Sequence, residues 1–176
     1  MPRFSRPEHL HIYTDGCALG NGKPGAQGGW AIVYELGNFN DDFGSYKFGH
    51  QTNNRYELEA IQQAIRTSLR GGGVYDITIF TDSKYALNAL TVWIHEWKLN
   101  GWTTCDGNEV ENYELIRMID SMIRNMNSRG GSVQLKHVKA HSGNPWNNAA
   151  DRLAKLAARL NPIWEEHDDD DDEDYY

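Results

Sequence analysis

The chain is short of cysteine, with Cys17 and Cys105 as its two thiols. They form neither a disulfide framework nor a CxxC metal pattern, so both are read as free thiols. No apolar run approaches the roughly 20 residues that cross a bilayer. The opening stretch, MPRFSRPEHLHIY, has basic residues but no apolar core of a secretory leader. A soluble protein with no membrane partner is expected, monomeric and intracellular, with cytoplasmic, nuclear and organellar sites left open. Internal repeats are also absent, and 176 residues are one domain's worth.

Lysine and arginine are missing from the last twelve residues, EEHDDDDDEDYY, which hold nine acidic groups. The chain's net charge of -8 is therefore local: residues 1–164 carry 16 acidic against 17 basic residues, which does not exclude a nucleic-acid partner. With so little apolar matter, residues 161–176 read as a disordered acidic tail. Residues 1–8 read as an N-terminal extension and 9–160 as the folded domain.

Within that domain, β-branched and aromatic runs predict strands at 9–15, 29–36, 43–50, 77–82 and 133–140. Leu58, Ile61, Ala64, Ile65 and Leu69 recur at helical spacing, and triple Gly stops that helix. Interrupted helical pattern fills 83–128, and a last helix runs from about Pro145 to Asn161-Pro162. A meander followed by alternating helices and strands predicts an α/β fold, with a five-stranded mixed sheet that is antiparallel on one side and parallel on the other. Right-handed crossovers place strands one and four near each other.

Two of these strands run into a carboxylate: LHIYTDG into Asp15 and ITIFTDS into Asp82. One strand-end Asp is ordinary turn chemistry, but two from one end of a sheet suggest a shared site. Glu57 lies in the first turns of its helix, where an acid also suits the macrodipole. Asp151 fits that reading less well, several residues into the last helix among alanines. Gathered together, four carboxylates would repel and raise one another's pKa unless cations neutralised them. Oxygen-only ligands suit Mg²⁺ or Mn²⁺ rather than zinc.

The blocks YTDGCALGN, TNNRYELEA, TDSKYALNAL, VWIHEWKLNGW and VKAHSGNPWNNAADRLAKLAA, in that order, resemble type I ribonuclease H. The resemblance implies a ribonuclease H-like fold and cleavage of the RNA strand of an RNA–DNA hybrid, leaving 5′-phosphate and 3′-hydroxyl ends. Two Mg²⁺ ions, with Mn²⁺ a plausible substitute, would be held by Asp15, Glu57, Asp82 and Asp151. It also makes His141 the loop histidine that assists proton transfer or product departure. Asn21, Asn53 and Asn54 would meet RNA 2′-hydroxyls, Thr52 and Asn112 a DNA-strand phosphate, and Trp93 a deoxyribose.

The chain departs from the family pattern in three ways. His50 stands where many relatives place a phosphate-pocket arginine. HEWKLNGW offers a lone Lys98 where bacterial relatives carry a basic protrusion. The small hybrid-binding module of many eukaryotic relatives is not found in this sequence. Two rival readings are a two-metal DNA nuclease or strand-transfer enzyme of the same fold, and a non-catalytic hybrid-binding module.

Overall fold

A computed structural model describes residues 7–36, 39–46, 49–70 and 72–160. Most of the expected extension (1–6) and the acidic tail (161–176) lie outside the described residues. Five strands, β1 (Glu8–Leu19), β2 (Gln27–Tyr34), β3 (Asp42–Gly44), β4 (Tyr75–Thr81) and β5 (Ser132–His137), form one sheet in the order β3-β2-β1-β4-β5. β1, β2 and β3 pair antiparallel, whereas β4 pairs parallel with both β1 and β5.

The helices are α1 (Asn53–Arg70), α2 (Lys84–Asn88), α3 (Ile94–Leu99), α4 (Tyr113–Ser128) and α5 (Pro145–Leu160), with a π-helical turn, Ala89–Trp93, between α2 and α3. No described helix is long and apolar enough to cross a membrane.

Period-2 alternation along β1 divides its residues between two layers. Leu10 and Ile12 join Ile32, Ile77 and Ile79 in the main core under α1 and α4, where Leu58, Ile61, Ala64, Ile65, Ile116 and Ile119 are buried. Tyr13 points the other way and packs with Val33 and Ala150, covered by Trp146 and Leu153 of α5. The predicted apolar face of α1 is thus the core face, with Leu69 packed at its edge.

Three boundaries differ from expectation for identifiable reasons. β1 runs four residues past Asp15 because β2 keeps pairing with it after β4 has ended, from Asp15↔Ala31 to Leu19↔Gln27. β3 stops at Gly44 instead of continuing toward residue 50, since the Ser45 hydroxyl donates to the Gly28 carbonyl and Tyr46 is drawn to the Tyr56 hydroxyl; residues 47–48 lie outside the described residues. β5 ends at His137, and Val138 N–H then bonds the Thr81 carbonyl as the chain leaves the sheet.

Two glycines let the helices approach the sheet. A Cβ on Gly16 would lie 2.1 Å from the Tyr56 carbonyl carbon and 2.2 Å from the Glu57 nitrogen, both backbone atoms. On the other face, a Cβ on Gly29 would lie 2.4 Å from the Ala158 nitrogen. Neither contact can be relieved by a rotamer change. Gly16→Ala is accordingly expected to lose at least about 3 kcal/mol, because an overpacked backbone contact must push α1 off the sheet. Urea unfolding measures it, and a loss under about 0.5 kcal/mol, the scale of a neutral surface change, would refute the close approach.

Candidate active site

Parallel pairing of β1 and β4 ends at Thr14↔Thr81, so the next residue of each chain, Asp15 and Asp82, leaves the pairing at the same level. Gly16 lets the start of α1 press against β1 there, which brings Glu57 to the same place. The three carboxylates each place an oxygen within 4.8 Å of the others. Asp15 is therefore not the turn former of a strand end, as its sequence neighbours suggest. It sits inside a long strand, 6% exposed.

The electrostatics follow from this crowding. Burial, with Asp82 and Asp151 adding repulsion, pushes the Asp15 carboxyl from an ordinary 3.8 up to about 8. Burial, then Asp15 and Asp82, raises Glu57 well above the usual carboxylate range. Burial leads each shift and neighbouring negative charge adds to it. Glu57 Oε2 is also buried with no hydrogen-bond partner among the described residues, an arrangement that strongly disfavours an isolated ion. A hard cation bound by oxygen supplies what that atom lacks, so the donor set fits a Mg²⁺- or Mn²⁺-type ion.

Asp151 comes from α5 on the opposite side of the sheet. It lies near enough to raise Asp15 but stands outside the three-carboxylate group, with its Oδ1 2.7 Å from the Lys155 ammonium. Sequence reasoning missed Lys155 and also Asn147. Asn147 is 3% exposed, and its Nδ2 donates to Asp82 Oδ2 at 3.3 Å. Its own Oδ1 is buried with no partner among the described residues. Asn144 places it by capping α5: its Oδ1 accepts from the N–H groups of Trp146 and Asn147, each at 3.0 Å. The Asn-Pro pair is a readable helix start, but nothing local indicates that the next asparagine reaches Asp82.

Cys17, two residues along β1 from Asp15, is no nucleophile. Burial first, then the charge of Asp15, pushes its thiol up to about 11, and a protonated thiol is a poor attacker. His141 is exposed in the β5–α5 loop, in left-handed backbone with φ 52.

The remaining expected contacts divide. Asn21 and Asn53 lace β1 to α1: Asn53 N–H donates to Asn21 Oδ1 at 2.9 Å, and Ala18 N–H to Asn53 Oδ1 at 2.7 Å. Capping of α1 falls to Thr52, whose hydroxyl accepts from Arg55 N–H at 3.3 Å. Asn54 is half-buried beside it. Trp93 is 38% exposed, edge-on to Tyr85 at 6.0 Å, and so is not core. His50 and Asn112 line one cavity of about 480 Å³ together with Arg55, Glu59 and Glu114; Thr52 is not part of its lining.

Known proteins share this chain's sequence and fold. Ribonuclease H of Francisella tularensis subsp. novicida is 41% identical over 157 residues, covering 89% of this chain and 95% of the relative. Ribonuclease H of Polaromonas naphthalenivorans is 35% identical over 153 residues, covering 87% and 89%. Among solved structures, LC9-RNase H1, described as a type 1 RNase H with the type 2 active-site motif, superposes with a TM-score of 0.69 at 27% identity, covering 90% of this chain and 75% of that one. The foamy viral protease-reverse transcriptase solved with an RNA/DNA hybrid shares the fold, with a TM-score of 0.67 at 18% identity over 90% of this chain and 21% of that one. A sequence model of RNase H matches residues 7–159, nearly the whole described chain, and on that match and those identities the chain belongs to the RNase H family of nucleases.

Proposed function

We propose that the protein is an endoribonuclease that hydrolyses the RNA strand of RNA–DNA hybrids, with two divalent ions held by Asp15, Glu57, Asp82 and Asp151. The observation that carries this reading is the buried, unpaired Glu57 Oε2 within the three-carboxylate group. Two such ions would activate a water and balance charge on the departing 3′ oxygen, giving 5′-phosphate and 3′-hydroxyl ends.

The chain's own groups orient and buffer that chemistry. Asp15, fixed in β1 by its pairing with Ala31 of β2, is the rigid ligand. Asn147 holds Asp82 through its amide. His141, exposed in the β5–α5 loop, is the group that would assist proton transfer or product departure. Asn21 and Asn53 have their carboxamide oxygens committed, so each presents an NH₂ group, a donor suited to the 2′-hydroxyls that distinguish RNA from DNA. That last feature favours a hybrid over duplex DNA as substrate. The retained carboxylates argue against a non-catalytic binding module.

Incubation with Mg²⁺ and RNA·DNA, DNA·DNA, RNA·RNA and single-stranded RNA of one sequence tests the reading. Only the hybrid should be cut, and cleavage of DNA·DNA at a comparable rate would replace it with the DNA-nuclease alternative.

His50 gives a second test. An arginine carries its charge at every working pH and can grip a phosphate with two donors, which an imidazole cannot. The cavity His50 lines already holds Arg55 against several glutamates, so added positive charge should count. His50→Arg is expected to bind hybrid about two- to tenfold tighter at pH 8 and to steepen the salt dependence. The comparison belongs in an Asp15→Asn background, where cleavage does not interfere. Identical salt titrations for the two proteins would remove His50 from the phosphate path.

A further inference from the structure

Lys155 takes no part in the chemistry proposed above. It lies one helical turn after Asp151 on α5, with its ammonium 2.7 Å from Oδ1 and 2.8 Å from Oδ2, so it spans both carboxylate oxygens. Its charge extends further into the site, favouring the ionised forms of Asp15 and Cys17. Asp151 is also the carboxylate left out of the converging group. Each oxygen keeps a second lone pair, but a divalent ion placed on either one would sit close to the ammonium and repel it, loosening the first contact.

We propose that Lys155 is a positioning residue that holds Asp151 in reserve, a resident monocation that competes with a divalent ion for the fourth carboxylate. The inference rests on the metal-holding reading of the site and orders the two binding events. Among the described residues no cationic side chain is paired with Asp15, Glu57 or Asp82, whose polar neighbour Asn147 is a neutral amide, so an ion on those three displaces no charge and binds first. The ion that needs Asp151 must displace an ammonium and binds second, more weakly.

The exchange is physically accessible. The two side chains are 43% and 28% exposed, and an ion pair this open to water is weak. A divalent ion brings twice the charge, and a lysine stem is flexible enough to swing its ammonium into solvent. Until then the ammonium offsets part of the repulsion among the carboxylates. An arginine at this position would keep the charge but hold both oxygens in a fixed fork, making displacement harder.

Mn²⁺ binding to the full chain, followed by calorimetry and by the free Mn²⁺ electron spin resonance signal, tests this. The wild type should show two classes of site. Lys155→Met should tighten the weaker class about three- to tenfold, the range expected for removing one partly exposed charge, and leave the stronger class nearly unchanged. Lys155→Arg should leave the weaker class as it is or weaken it further. In an Asp151→Asn background the weaker class should be lost, and Lys155→Met should then have no effect.

Melting separates this from a merely structural lysine. Lys155→Met should melt below wild type in EDTA and recover most of the difference in Mn²⁺, whereas a structural lysine would lower the melting point equally in both. A single class of site in the wild type, an unchanged or weakened second class in Lys155→Met, or the same change with Asp151→Asn present would each overturn the inference. A wild type that binds no Mn²⁺ would instead overturn the metal-holding reading on which it stands.

Discussion

Asp15→Asn is expected to cut the rate of hybrid cleavage at least about a thousandfold, since losing a charged ligand forfeits several kcal/mol of transition-state stabilisation. It should also make the metal-free protein more stable. These opposite signs share one cause: Asp15 is 6% exposed and crowded by Asp82 and Asp151, so a carboxyl there costs the metal-free fold either a buried charge or the uptake of a proton. Asparagine keeps the side-chain shape and never ionises, so it avoids the desolvation, the repulsion and the proton uptake they force, a gain of about 1–3 kcal/mol near neutral pH. Urea unfolding in EDTA measures the gain, and single-turnover cleavage with saturating Mg²⁺ measures the loss. A variant that cleaves like wild type would exclude Asp15 from the chemistry. One that loses activity and also unfolds more easily would show damaged folding, which is a different result.

Asp15 also shows what the sequence could and could not convey. The repeated pattern of an apolar run ending in Thr-Asp was readable, because strand alternation is a short-range property, and it marked both Asp15 and Asp82. That β1 continues to Leu19 was not readable, because the continuation depends on β2 outlasting β4 as a neighbour. Glu57 had an adequate local explanation near a helix start, and only its tertiary setting, buried with one oxygen unpaired, separates it from a surface acid favoured by the helix dipole. Lys155 follows Asp151 by four residues, the most ordinary ion-pair spacing on a helix. Nothing along the chain distinguishes that pair from a solvated one until α5 is laid across the sheet beside Asp15. The π-helical turn at Ala89–Trp93 was likewise invisible: helical periodicity predicted interruptions in this region without their form, and the turn leaves Trp93 partly exposed.

The carboxylates also make stability and metal affinity depend on pH, with a sign opposite to that of a salt-bridged acid. In the metal-free protein Asp15 titrates near 8 against 3.8 when unperturbed, and Glu57 is raised as well. Between about pH 4 and pH 8 the folded chain therefore holds protons that the unfolded chain has released, and stability must fall as pH rises through that window. The fall belongs to the coupled carboxylates together and amounts to a few kcal/mol, on the scale of about 1.4 kcal/mol per pKa unit. A bound divalent ion reverses the preference, because it favours the ionised forms and expels the protons.

Three measurements follow from that linkage. In EDTA, urea midpoints should be higher at pH 5.5 than at pH 8, both chosen to lie within or at the edge of the window. With saturating Mg²⁺ the decline should flatten, and Asp15→Asn should flatten it in EDTA as well. Calorimetric titration of Mg²⁺ near pH 7 in buffers of different ionisation enthalpy should show net proton release, and apparent Mg²⁺ affinity should rise with pH until the carboxylates are fully ionised. Midpoints that rise from pH 5.5 to 8 in EDTA, or Mg²⁺ binding that releases no protons at pH 7, would mean that Asp15 and Glu57 are already ionised without metal, and that some other cation, Lys155 foremost, holds them so.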